Sequence, residues 1–170
     1  MKKNLITAAA LLLLTAVLPS EAGAQQMSSP SGELSLNVGC TGGTVTYELT
    51  YKGLPVITPS RLGLTGDEAD LTSGFSVVSV SRDTVDRSWT PVWGEYASVR
   101  DYFHEMALTL EQDGSGRKMT VRFRLFDDGL GFRYEVPEQD GVNYVSLRDE
   151  LTEFNLTGDH LAFCIPGDYD

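Results

Sequence analysis

The sequence predicts an all-β protein, an antiparallel β-sandwich. Apolar side chains recur with period two, Gly- and Asp-rich turns interrupt them at short intervals, and almost no segment holds a convincing helical period. Residues 25–31 (QQMSSPS) are polar and contain Pro30, so they are expected to form a flexible leader. After them Leu34, Leu36 and Val38 alternate with polar residues, Gly42-Gly43 turns the chain, and Val45, Tyr47, Leu49 and Tyr51 alternate again, as in a hairpin. Lys52-Gly53 makes another tight turn before LPVIT, where Pro59 limits regular continuation and Arg61 to Leu64 resumes it.

Gly66 to Ser73 reads as an acidic loop, Phe75, Val77, Val78 and Val80 as a strand, and Asp83 to Ser88 as a charged connector. Tyr102 to Leu110 contains good helix formers, yet His104, Met106, Leu108 and Leu110 alternate with Phe103, Glu105, Ala107 and Thr109, which suits a strand with its even positions inward. Asp113 to Gly116 turns into a strand burying Met119, Val121, Phe123 and Leu125, and Asp127-Asp128-Gly129 returns it through Phe132, Tyr134 and Val136. Short strands are expected at 144–147, 153–156 and 160–165.

The N-terminus reads as a targeting segment over residues 1–24. Lys2 and Lys3 precede an apolar run from Leu5 to Leu18, and Ala22-Gly23-Ala24 forms a small-residue cleavage site. The run of about 14 residues is short of the ~20 that a spanning helix needs, so no stable membrane anchor is expected. Removing two lysines and one glutamate takes the formal charge from −11 to −12. That balance, with no basic run, disfavours nucleic acid and anionic membranes as partners. Export leaves Cys40 and Cys164 free to pair; the preferred reading makes each a small buried apolar residue, Cys164 within LAFCIP.

Several blocks in order carry a family resemblance: SRLGL (60–64), WTPVWGE (89–95), VRDYFHE (99–105), FRLFDDGLGFRYEVPEQ (123–139), DELTEFNL (149–156) and IPGDYD at the end. Together the chain resembles the N-terminal domain of glycoside hydrolase family 97. The resemblance implies a β-super-sandwich spanning 32–170, truncated, with a catalytic (β/α)₈ barrel absent from this chain. It further implies a secreted, periplasmic, exo-acting enzyme on α-linked glucosides or galactosides, with calcium at an active site whose ligands lie beyond Asp170. None of that calcium is expected on this fragment. Cys164 departs from the bulky aromatic that family members tend to carry before the IP dipeptide.

Glycoside hydrolysis requires two carboxyl groups flanking one bond. Asp127 and Asp128 are better read as turn formers, and Glu150 and Glu153 as a solvated edge, so no catalytic residue is assigned. The candidate contacts are Trp93 and Glu95, an indole able to stack on a sugar beside a carboxylate able to accept hydroxyl hydrogen bonds, with Arg100 and Asp101 nearby. Against this stands the preferred reading of Trp89 and Trp93 as aromatic anchors of an interdomain interface, with Arg100 and Asp101 in ion pairs. His104 and His160 lack metal-ligand spacing, and no metal site is expected. The expected function is a non-catalytic domain packed on the barrel and walling the sugar pocket for an α-linked oligosaccharide. The alternative is a stand-alone carbohydrate-binding sandwich.

Overall fold

The computed structural model describes residues 23–67, 70–140, 142, 144–165 and 167. Most of the targeting segment and most of IPGDYD therefore lie outside the described residues. The strands are β1 (Gln25–Ser28), β2 (Leu34–Thr41), β3 (Thr44–Tyr51), β4 (Leu54–Arg61), β5 (Leu64–Gly66), β6 (Phe75–Trp89), β7 (Val99–Gln112), β8 (Lys118–Leu125), β9 (Leu130–Glu135) and β10 (Leu147–Glu150). Two antiparallel four-stranded sheets, β1-β2-β3-β4 and β6-β7-β8-β9, are joined by a small β5-β10 sheet.

The inward residues of the two large sheets form one core. Leu36, Val38, Val45, Tyr47 and Leu49 come from one side, and Met106, Leu108, Leu110, Met119, Val121, Phe123 and Leu125 from the other. Period-two alternation puts these residues on the same face of each strand, and burying that face drives the sheets together. Met106, Leu108 and Leu110 of β7 are buried as expected, but Phe103 and Ala107 on the other face are buried too, and His104 is only half-buried. Irregularity coincides with predictable chemistry. The β3–β4 register shifts between Tyr47 and Leu49 and again between Leu49 and Thr50, where β4 carries Pro59 and Pro55. In β6 the register slips between Val77 and Ser79, so Val77 and Val80 both pack on the core although three positions apart.

Four expectations are corrected. Residues 25–31 are no flexible leader: β1 pairs with β2 from Gln25↔Val38 to Ser28↔Ser35, Met27 is buried, and Ser29 is buried with its Oγ accepting from the Leu34 N–H. A single buried methionine and a backbone ladder suffice where composition shows only polarity. Asp83 to Ser88 is no connector but the outer part of β6. Of the three late strands, the first forms only beyond its expected 144–147, as Leu147–Glu150, and the other two are not regular. The 153–156 stretch instead runs along the edge of β4, with Glu153 donating its N–H to Arg61 O, Thr58 its N–H to Asn155 O, and Ile57 bridging Leu156. Residues 161–165 carry no regular structure, and Leu161, Phe163 and Ile165 are exposed because no layer among the described residues covers them. Cys164 shares that exposure, so it is not a buried apolar residue, and both cysteines are free thiols.

The two sheets are also locked where hairpins meet. Gly43 has φ +78°, and a Cβ there would lie 2.8 Å from the Cα and N of Gly74. Beside it the Phe75 N–H donates to Gly43 O at 2.9 Å. Gly43→Ala is expected to cost about 2 kcal/mol through left-handed strain and backbone collision, read as a lower midpoint in urea denaturation with an unchanged slope.

Candidate functional site: the tip of a two-stranded arm

The register of the second sheet builds an arm. β6 and β7 pair from Phe75↔Gln112 out to Trp89↔Val99, whereas β8 reaches along β7 only as far as His104↔Leu125. Beyond His104 the ribbon of 85–89 and 99–103 is therefore two strands wide, ~16 Å long at strand rise, and ends in the loop 90–98. Its root is fixed by Phe103, buried against Phe126 with ring centroids 5.0 Å apart and capped by the Arg124 guanidinium at 4.7 Å.

Two-stranded ribbons are marginal alone, and this one is braced on both faces. On one, Arg100 donates from Nε and Nη2 to the two carboxylate oxygens of Asp86, both at 2.7 Å, and lies 4.4 Å over the Tyr102 ring. On the other, Arg87 donates to Asp101 Oδ2 at 3.1 and 3.2 Å. Hydrogen bonding from Arg100 holds the Asp86 carboxyl below its usual range. Arg100 and Asp101 thus pair with the opposite strand, not with each other, and point to opposite faces.

The tip carries the other two candidates. Val92, Trp93 and Tyr96 have relative exposures of 101%, 89% and 72%. Gly94, at φ +143°, gives the loop a turn that a side chain would resist. Glu95 makes no hydrogen bond or ion pair among the described residues, in contrast to Arg100 and Asp101. Trp93 and Glu95 therefore sit together on the loop, while Arg100 and Asp101 brace the ribbon beneath them. An exposed indole, a phenol and a carboxylate on a stiff support suit docking or stacking. They do not suit acid catalysis, which needs a carboxyl raised by an enclosed apolar site. Sequence reading missed Val92 and Tyr96 as members of this apolar tip and Asp86 and Arg87 as its braces; the spacing of opposite charges across a long hairpin was the available signal.

Behind the arm, the outer face of β7–β9 holds a charge ladder. Glu105 accepts from Arg122 at 2.5 Å and Arg124 at 2.8 Å; Glu135 accepts from Arg122 and Arg133, each at 2.7 Å. Hydrogen bonding from Arg122 pulls Glu135 down to about 2. Burial raises Glu105, but its bonds from Arg124 and Arg122 outweigh that and leave it low. Because both folded values lie below the unfolded ones, this stabilisation is complete above the unfolded carboxylate range and is lost as pH falls toward about 2. With side-chain exposures of 14% and 30%, solvent screening trims it to roughly 1–2 kcal/mol. Urea midpoints should drop between about pH 6 and pH 2.5, and Glu135→Gln should flatten that drop.

The protein-family profile described as "Glycosyl-hydrolase 97 N-terminal" matches residues 27–170. The chain belongs to this family. As a glycoside hydrolase family 97 N-terminal domain it is similar to a probable retaining α-galactosidase of Streptomyces bingchenggensis, 28% identical over 141 residues, covering 83% of this chain and 21% of that protein. It is also similar to a retaining α-galactosidase of Bacteroides thetaiotaomicron, 26% identical over 109 residues, covering 64% of this chain and 16% of that protein. Among solved structures, a family 97 enzyme from Pseudoalteromonas sp. in complex with panose superposes with TM-score 0.74 at 32% identity, covering 78% of this chain and 20% of that one. The domain thus spans about a fifth of the length of the relatives it matches. Those relatives are glycosidases with a much larger remainder.

Proposed function

We propose that this domain serves an exported, periplasmic, calcium-dependent exo-acting α-glycosidase, and that the arm tip packs on the catalytic barrel and helps wall the pocket for an α-linked oligosaccharide. One observation carries the reading: Val92, Trp93 and Tyr96 stand exposed on a ribbon braced by two Arg–Asp pairs. Apolar side chains held out on a stiff support, in a domain that is one fifth of its relatives, call for a surface that covers them. Trp93 and Glu95 are the residues proposed to face sugar or barrel, with Arg100 and Asp101 as braces.

Calcium is assigned to the remainder of the polypeptide. The described residues contain no group of three or more His, Cys, Asp or Glu able to hold a metal ion, and Asp86, Glu105 and Glu135 are already engaged by arginines. Export rests on the targeting segment 1–24 and the cleavage site after Ala24, which would leave Gln25, the first residue of β1, at the new terminus. Substrate breadth follows the relatives, which include a probable retaining α-galactosidase, a retaining α-galactosidase and a family 97 enzyme in complex with panose.

The test is direct. The intact natural polypeptide should hydrolyse a nitrophenyl α-galactoside or α-glucoside, and purified residues 25–170 should not. Hydrolysis by the domain alone would place catalytic groups within it and overturn the reading. Calorimetric titration of the domain with maltose separates the alternative, since tight binding without the barrel would make it a self-sufficient sugar-binding module.

A further inference from the structure

We infer that β1 is a strap that sets the position of the arm, and that His104 and Arg82 are the positioning residues through which it acts. β1 belongs by its backbone ladder to the first sheet, through β2. Some further bonds stay with β2, such as Gln26 Nε2 to Ser35 Oγ, but three from β1 and the turn that follows it cross to the second sheet. The Nη2 of Arg82, on β6, donates to Gln25 Oε1 at 2.9 Å. His104, on β7 at the last position that β8 still supports, lies with Nδ1 2.7 Å from Ser28 O. The Ser31 N–H donates to Asp127 Oδ1, in the β8–β9 turn, at 2.7 Å. A carbonyl oxygen only accepts, so His104 must carry its proton on Nδ1.

The geometry makes these few bonds decisive. Between β1 and the arm root lies a cleft of about 500 Å³, bordered by Gln26, Arg82, Thr84, His104 and Glu105. Met27 is the β1 side chain that packs into the core, and across the cleft itself the polar anchors carry the restraint. Two of them fall on opposite strands at the root of the arm, His104 where the third strand ends and Arg82 just inside it, paired with Met106. Fixing both strands of a ribbon at its root fixes the direction in which its tip points. Asp127 restrains the same strap from the turn beyond, its carboxyl held low by the Ser31 N–H. The first residues of the folded domain, which composition marks as a leader, thus reach the arm mechanically.

The proposed effect on hydrolysis rests on the reading that the tip docks on the catalytic region; the strap itself does not. The experiment uses the intact polypeptide with His104→Ala, His104→Asn, whose amide donates from near the Nδ1 position, and Trp93→Ala. Hydrogen exchange read by mass spectrometry should show arm amides 85–89 and 99–103 exchanging at least about tenfold faster in His104→Ala, near-native in His104→Asn, with β2 and β3 unchanged. Exchange within about twofold of native, or equal acceleration in β2 and β3, would overturn the strap. In kinetics, His104→Ala should lower kcat/KM and His104→Asn should restore it. If the arm is loosened while kcat/KM holds, and Trp93→Ala still lowers it, the positioning role is overturned and docking stands. If Trp93→Ala leaves kcat/KM unchanged, docking fails, and hydrogen exchange alone decides the strap.

Discussion

Replacing Phe123 with alanine is expected to lower the unfolding free energy by about 3–5 kcal/mol. Phe123 is fully buried at the middle of β8, where the two sheets face each other. Its ring meets Tyr47 from the opposite sheet at 6.4 Å and Phe132 from its own sheet at 5.7 Å. Tyr47 in turn contacts Phe132 and Phe154 and donates its hydroxyl to Glu153 O at 2.8 Å. Truncation therefore removes buried apolar area, leaves a cavity, and loosens the contact that seats the 151–156 edge segment. Strands fixed by ladders on both sides cannot collapse to fill the space. Urea denaturation of the domain checks this, with Phe123→Leu expected to recover more than half of the loss.

Trp93→Ala in the intact polypeptide is expected to lower kcat/KM by at least about tenfold while leaving the melting temperature nearly unchanged. The indole is 89% exposed in the domain, so its removal takes no contact from the fold. Whatever free energy it contributes must come from outside the described residues. Aromatic anchors that enter a desolvated site contribute about 2 kcal/mol or more when truncated to alanine. Arg100→Ala should act in the same direction but less, because it loosens the brace to Asp86 and leaves the anchors in place. Steady-state kinetics beside thermal melts of the same preparations separate the two effects.

The sandwich was legible in the sequence because its inward faces alternate without interruption. Leu34 to Val38, Val45 to Leu49 and Met119 to Leu125 read directly as half-buried strands and are so. The outer arm was hidden for the converse reason. Asp83 to Ser88 faces solvent on both sides, so no apolar period marks it, and its strand character comes from pairing with 100–105 and from cross-strand ion pairs. Polarity likewise concealed β1, whose order depends on partners such as Val38, His104 and Asp127 that no local window contains. Leu161, Phe163 and Ile165 erred the other way. The apolar run LAFCIP suggests a short strand, yet apolarity shows only that a segment could be buried, not that a covering layer is present. For the site, Trp93 and Glu95 were found by residue type and Arg100 and Asp101 by position, but their division into tip and brace needed the register.

Docking of the arm tip on the rest of the polypeptide can be read from hydroxyl-radical footprinting of Trp93 in the intact natural protein. Docking predicts that Trp93 is oxidised at least about tenfold more slowly in the native protein than after unfolding in urea, as a desolvated interface anchor should be. Oxidation of native Trp93 at close to the unfolded rate, as its 89% exposure in the domain would give, would contradict the account.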